Sequence, residues 1–325
     1  MVMRRIFLFI VLQALLAMTC AHAFPDKPIR IVVPFAPGGG TDLVARTLGQ
    51  LMSQDVGQPV IIDNKAGGAT VIGTDFVAKS PADGYTLVMA TLAHSVNPIM
   101  LSKLPYNYDK AFASVMLVGR SPNVLVVRAD SPYKTVQDVV NAAKARPGHL
   151  SFASQGAGTS AHLAGELFKS LTKTFILHIP YRGAGPALTD LLGGQVDMMF
   201  ATASAAGGFI ESGRLRALAV TTAERSQVAR LAKVPSLATS GVPELKTYTA
   251  DSWYALIAPA GTPPAVIAKL NAAAQKAANS DIFKKKVGEE GLVVSAGSPQ
   301  ELDAYLKAEV IRWRKVIQDQ KITTE

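Results

Sequence analysis

The chain has 325 residues, 49% of them apolar and 18% charged, with a mean hydropathy of +0.22 and a formal net charge of +9. That composition can bury a large core in two lobes and excludes a chain disordered throughout. Cys20 is the single cysteine, which excludes a disulfide framework, and the basic residues are scattered without the aromatic interleaving of a nucleic-acid surface.

The N-terminus reads as a leader. Arg4 and Arg5 precede an apolar run from Ile6 to Ala21 and a small-x-small site at Ala21-His22-Ala23, the order of a secretory signal peptide cleaved before Phe24. A membrane anchor suits the short run less well, because no stop-transfer charges follow. A twin-arginine signal and a lipoprotein cysteine at Cys20 are further alternatives that fit their patterns less well. Of the 33 basic residues two fall in the leader, so the mature chain keeps 31 against 24 acidic ones, a charge of +7, and no cysteine. Lys284-Lys285-Lys286 lies in an amphipathic segment and reads as a solvated face.

After the leader, strand-like and helix-like segments alternate. "IRIVVPF" leads through "APGGG" to a helix from about Asp42, with Leu43, Val44, Thr47, Leu48 and Leu51 on one stripe. "PVIID" leads to "AGGATVIGTDFVAKS", and "YTLVMAT" follows. "NVLVVRA" precedes a helix from Thr135, with Asp138 as a capping acid. "LSFAS" leads through "QGAGTS" to "AHLAGELFKSL", and "FILHIPY" through "RGAGP" to "ALTDLLGG". "VDMMFA", "LRALAV" and "WYALIAP" are later strands before a helix-rich tail. The alternation predicts an α/β fold with parallel sheets covered by helices.

Four loops of one kind recur, near Gly38, Gly67, Gly156 and Gly183. In a parallel sheet such loops gather at the carboxyl edge of the strands, where ligands bind. Each alone could simply end a strand; four together point to a site. "PGGGTD" lacks the Lys and hydroxyl of a phosphate loop and has Leu43 where a dinucleotide fingerprint needs a small residue. A loop with no cation that ends in an acid suits a singly charged carboxylate, held by N–H groups, hydroxyls and a helix N-terminus.

Catalytic patterns are weak. A Ser154–His162–Asp197 triad rests on residue types alone. His94, His149, His162 and His178 show no metal-ligand spacing. His178 reads as a strand residue, and His162, at a helix start, as either a cap or a site residue. Asp63, Asp190 and Asp197 flank loops as caps or turn residues. Trp253 and Tyr254 could line a cleft, although core packing is the commoner fate of such aromatics.

Six stretches carry a resemblance: "FPDKPIRIVVPFAPGGGTD", "HSVNPIMLSKLPYNYDKAF", "SFASQGAGTSAHLAGELF", "IPYRGAGPALTDLLGGQVDMMF", "KVPSLATSGVPEL" and "WYALIAPAGTPPAVIAKLN". In this order, over nearly the whole mature chain, they resemble the Bug family, extracytoplasmic solute receptors of tripartite tricarboxylate transporters. "NKAGGATVIG" departs from the fuller glycine run usual in its position. The resemblance implies a type II-like periplasmic-binding-protein fold in which two lobes, each a mostly parallel sheet flanked by helices, close on a ligand carboxylate. Lobe I is expected to span 24–120 and 223–325, and lobe II 121–222. The resemblance implies binding by Phe35, Ala36, Gly39, Thr41, Ala69 and Thr91 from the first lobe. From the second it implies Ser154, Gly158, Thr159, Ser160, Ala184 and Asp197. The expected partners are a small organic carboxylate and a membrane permease, with a monomeric periplasmic protein, no catalysis, no cofactor and no metal. A receptor reporting to a sensor kinase and a secreted hydrolase are the alternatives.

Overall fold

The computed structural model describes residues 24–319, apart from 102, 227, 228, 289 and 290, together with residue 322. The leader, with Cys20 and its cleavage site, lies outside the described residues.

The first half begins with β1 (Ile29–Val33), α1 (Gly40–Val56), β2 (Val60–Asn64), α2 (Val71–Ala78), β3 (Thr86–Thr91) and α3 (Leu92–Met100). The first helix buries Val44, Ala45, Thr47, Leu48 and Met52, close to the stripe expected from its sequence. It ends at Gly57, whose left-handed φ of 69° lets its N–H reach Ser53 O. A short helix, α4 (Tyr108–Ala111), leads into β4 (Phe112–Arg128). The second half repeats the alternation with α5 (Val136–Ala145), β5 (Ser151–Ser154), α6 (Ser160–Thr172), β6 (Leu177–Pro180), α7 (Ala184–Gly193), β7 (Met198–Thr202), α8 (Ala203–Glu211) and β8 (Leu215–Val220). The chain then returns through β9 (Asp251–Pro259), α9 (Pro264–Asn279), α10 (Asp281–Gly288), β10 (Val293–Val294) and α11 (Pro299–Asp319).

Strand order is β2-β1-β3-β9-β4-β7-β5-β6, with β8 and β10 also pairing with β4. The outer strands are parallel, β1 with β2 and β3, and β5 with β6 and β7. Antiparallel pairs occur where β4 and β9 run. Residues 112–122 of β4 pair with β9, and residues 123–127 with β7, so one strand serves both sheets. At the changeover Thr221 N–H donates to Asn123 O, Asn123 N–H to Thr221 Oγ1, and Ala250 N–H to Thr221 O, each at 2.9 Å. Three passages of the chain meet there.

The architecture is the two-lobed α/β fold expected. Core residues fall on both faces of each sheet: Ile29, Ile31 and Val33 face α1 and α9, whereas Val32 and Val88 face the opposite layer. In the second half Val124, Val126, Ala153 and Met199 pack under α7 and α8. The capping box predicted at Thr135 is present, with Asp138 N–H donating to Thr135 Oγ1 and Thr135 N–H to Asp138 Oδ2.

Candidate functional site

Four strand–loop–helix units aim their loops at one place. The β1–α1 and β2–α2 loops come from one half, the β5–α6 and β6–α7 loops from the other. Pro34, Phe35, the run Gly67 to Thr70, Gln155, Gly156, Ala157, Thr159, Pro180, Tyr181 and Arg182 enclose a cavity of about 240 Å³. Thr70 and Thr159 are the residues before α2 and α6, while Gly39 and Gly183 precede α1 and α7. Helix N-termini with partial positive charge therefore gather around the cavity.

Its electrostatics favour an anion. No lining residue is acidic, and Arg182 is the one lining residue that carries a charge. Asp42, in the first turn of α1, is compensated: Arg46 Nε lies 3.0 Å and Asn64 Nδ2 2.9 Å from its carboxylate, and Gly38 N–H donates to it at 3.1 Å. Burial raises its pKa, but those bonds together outweigh burial and hold it below the ordinary value. Asn64 Nδ2 also holds Phe35 O at 3.1 Å, so this acid orders the loop rather than opposing an anion.

The loop before α2 is strained. Gly67, Gly68, Ala69 and Thr70 all have positive φ, at 124°, 57°, 53° and 76°. For alanine and threonine the left-handed region costs about 1 kcal/mol or more each, and such strain gathers at functional sites. Asn97 pins the loop, donating from Nδ2 to Ala69 O at 2.7 Å and to Thr70 Oγ1 at 3.2 Å.

The two halves touch beside the cavity. Ala36 N–H donates to Arg182 O at 3.0 Å. A Cβ at Gly39 would sit 3.3 Å from Ala184 Cβ, and one at Gly183 only 3.1 Å from Ala36. Glycine at both places lets the backbones close together.

Of the residues expected in the site, Phe35, Ala69 and Thr159 line the cavity. Ala36, Gly39 and Ala184 form the contact beside it. Gly158 lies in the same loop but turns its N–H inward to His162 Nδ1 at 3.1 Å. Thr41 stands in the first turn of α1, outside the lining set. The hydroxyls of Ser154 and Ser160 face inward: Ser154 Oγ lies 2.6 Å from His178 Nε2 and 3.1 Å from Gly156 N, and Ser160 Oγ donates to Asn123 Oδ1 at 3.2 Å. Thr91 is buried before α3, and its Oγ1 has no hydrogen-bond partner among the described residues. Asp197 stands apart, accepting from Ser151 N at 2.8 Å and Ser151 Oγ at 3.0 Å at the opposite end of β5 from the cavity loop.

Ser154, His162 and Asp197 are therefore not assembled into a triad. Residues not singled out in the sequence, among them Gln155, Ala157, Pro180 and Tyr181, line the cavity as neighbours of the glycine loops, and so does Thr70 in the second loop. Gln155 Oε1 is buried there without a partner among the described residues. Among those residues no cluster of three metal-ligating groups occurs, and no helix is long and apolar enough to cross a membrane.

Residues 44–322 match the model of the tripartite tricarboxylate transporter family receptor. The chain belongs to that family. Protein BugT of Bordetella pertussis is 36% identical to this receptor over 314 residues, covering 96% of this chain and 95% of that one. Among solved structures, R. palustris Rpa4515 with adipate is similar at a TM-score of 0.88 and 36% identity, covering 92% of this chain and 99% of that one. MatC from Rhodopseudomonas palustris with bound malate is similar at a TM-score of 0.85 and 31% identity, covering 90% of this chain and 100% of that one. The resemblance carried by the six sequence stretches therefore holds.

Proposed function

We propose that this receptor captures a small organic carboxylate in the periplasm and presents it to a membrane permease of the tripartite tricarboxylate type. The observation that carries the reading is the cavity between the halves, ringed by helix N-termini and free of lining acids. At about 240 Å³ it is smaller than the ~300–1,000 Å³ of ordinary small-molecule pockets, which suits a compact acid. Adipate and malate, the acids bound in the two similar structures, are of that kind.

In this reading one carboxylate is gripped by backbone N–H groups of the loops around Phe35, Ala36, Gly39, Ala69, Gly158, Thr159 and Ala184. The hydroxyls of Thr41, Thr91, Ser154 and Ser160 act directly, through water or by shaping those loops. Asp197 has the weakest claim, because its carboxylate is engaged with Ser151. Lobe I comprises 24–120 and 223–325 and lobe II 121–222, the boundary falling near the bonded trio Asn123, Thr221 and Ala250. The protein acts as a monomer, exported by its leader and cleaved before Phe24, and returns its ligand unaltered.

Thermal unfolding of the mature protein against adipate, malate, citrate, glutamate, benzoate and nicotinate tests this. Saturation at 100 times Kd stabilises by about 2.7 kcal/mol, a readily measured shift. Recovery of the stabilising acid chemically unchanged after denaturation is expected. Stabilisation by neutral or cationic solutes alone would overturn the reading.

A further inference from the structure

The sequence contains T-x-A-H twice, as Thr91-Leu92-Ala93-His94 and Thr159-Ser160-Ala161-His162. Each threonine directly precedes a helix, α3 or α6, and each histidine is the third residue of that helix. Both histidines are 1% exposed. Each uses Nδ1 as an acceptor: His94 takes the N–H of Thr91 at 3.0 Å and His162 that of Gly158 at 3.1 Å. An accepting Nδ1 carries no proton, which puts the hydrogen on Nε2. His94 Nδ1 also lies 3.2 Å from Thr91 O, but its Nε2 meets a Thr74 hydroxyl that already donates to Thr70 O and so calls for a proton there.

Each ring stands behind a cavity loop. His94 Nε2 lies 3.0 Å from Thr74 Oγ1, whose hydroxyl donates to Thr70 O at 2.8 Å, at the end of the left-handed run. On the other side, the His162 ring stacks on His178 with centroids 4.2 Å apart, and His178 reaches Ser154, which accepts the Gly156 N–H. The N–H groups of Gly156 and Gly158 are thus taken up behind the loop by Ser154 Oγ and His162 Nδ1, while Gln155, Gly156, Ala157 and Thr159 line the cavity. Those two bonds fix the shape of the loop that faces the cavity.

We propose that His162 is a positioning residue for ligand capture, accepting the Gly158 N–H to hold loop 155–159 in its binding shape, while His94 props loop 67–70 indirectly, through the Thr74 hydroxyl. The inference rests on the reading of this cleft as the carboxylate site. Burial, with positive Lys169 and the adjacent His178, holds His162 near a pKa of about 3, so the acceptor stays available at any physiological pH. Phenylalanine would keep the stack on His178 but leave a buried N–H unpaired, whereas asparagine presents an oxygen near the Nδ1 position.

The experiment combines ¹⁵N NMR, amide exchange and calorimetry with adipate as the probe. In the wild type the His162 Nδ1 shift should be that of an unprotonated, hydrogen-bonded nitrogen; an Nδ1–H tautomer overturns the proposal outright. In the ligand-free protein His162→Phe should speed exchange of the Gly158 amide by about tenfold or more, and weaken adipate binding by about tenfold, the worth of one lost hydrogen bond. His162→Asn should stay within about threefold of wild type on both measures. A role in packing alone predicts the reverse, since phenylalanine preserves the stack. Equal effects of the two substitutions, or none, also overturn the proposal. If wild type does not bind adipate while loop exchange follows His162 as stated, the choice of adipate as occupant fails and the loop role stands.

Discussion

Acidification from about pH 7 to about pH 4.5 should weaken the fold by at least about 3 kcal/mol, mainly through the buried histidines. Burial lowers the pKa of His94 to about 4 and that of His162 to about 3, against an ordinary 6.5. In the unfolded chain each takes a proton near 6.5, but in the fold each remains neutral. The unfolded state binds more protons, so the contribution is present above pH 6.5 and is lost as pH falls toward the folded values. At pH 4.5 each of these two fully enclosed rings costs about 2–3 kcal/mol, or about 5 together. His178, lowered to about 4 by burial and Lys169 but less enclosed, adds in the same direction. Asp251 opposes them. Burial raises its carboxyl to about 6, so the folded state takes up this proton first and regains about 2 kcal/mol over the same range. Urea unfolding at stepped pH, with a constant m-value, reads the net change directly. His162→Asn should reduce the fall by one ring's share, about 2 kcal/mol. Stability that is flat or rises as pH drops to 4.5 would refute the placement of neutral rings in the core.

Three further outcomes are expected. Gly158→Ala forces a Cβ to 2.6 Å from Asn97 Oδ1 across the cleft at a φ of +73°, so stability should drop by about 1–2 kcal/mol and adipate affinity should fall with it; an alanine variant as tight and stable as wild type would mean the loop is placed differently. Asp197→Asn weakens the tie to Ser151 and should lower the melting temperature while leaving adipate affinity within about twofold, since one neutral hydrogen bond in place of a charged one costs about 1 kcal/mol of stability; a selective loss of affinity would return this acid to the site. With Gly39→Asp, a carboxylate enters beside Ala184 and should nearly abolish adipate binding, while raising salt from about 0.05 to about 0.5 M should change wild-type affinity little, because a closed cleft excludes counterions. Steep salt dependence, a damaging Arg182→Ala and a silent Gly39→Asp would together shift the grip from backbone N–H groups to the Arg182 guanidinium.

Local physics made much of the fold legible. The apolar stripe of α1, the Thr135–Asp138 box and the glycine loops each follow from a few neighbouring residues, and all appear where the sequence places them. The 17-residue strand β4 did not announce itself. Its middle, Gly119-Arg120-Ser121-Pro122, carries the composition of a turn, and only "NVLVVRA" reads as a strand from pattern alone. What keeps the segment extended is pairing with strands far along the chain, Pro122 opposite Asp251 and Asn123 opposite Thr202. Proline is tolerated where the partner changes, because a donor lost there interrupts neither ladder at its centre. The return strand β9 makes the same point: its antiparallel pairing with β3 and β4 is decided by where the chain crosses between the halves, which no short window contains.

The site shows the same division at the scale of single atoms. Glycine content marked all four loops, since close backbone approach leaves a compositional trace. Hydroxyl direction leaves none. Thr159 lines the cavity yet turns its hydroxyl to Gly156 O and the His162 N–H, and Ser154 in the same short stretch turns to His178, 24 residues away. Ser160 turns to Asn123, 37 residues away. Asp197 reads from its neighbours as a cap or turn residue and entered the expected site only through the resemblance; it directly precedes β7, where Ser151 at the opposite end of β5 from the cavity loop engages its carboxylate. The one trace that was available is the repeated T-x-A-H, whose spacing places a ring nitrogen beside the backbone N–H groups at the start of a helix. A local repeat of that kind marks how a loop is held, whereas which of its atoms meets the ligand depends on partners that the chain supplies from elsewhere.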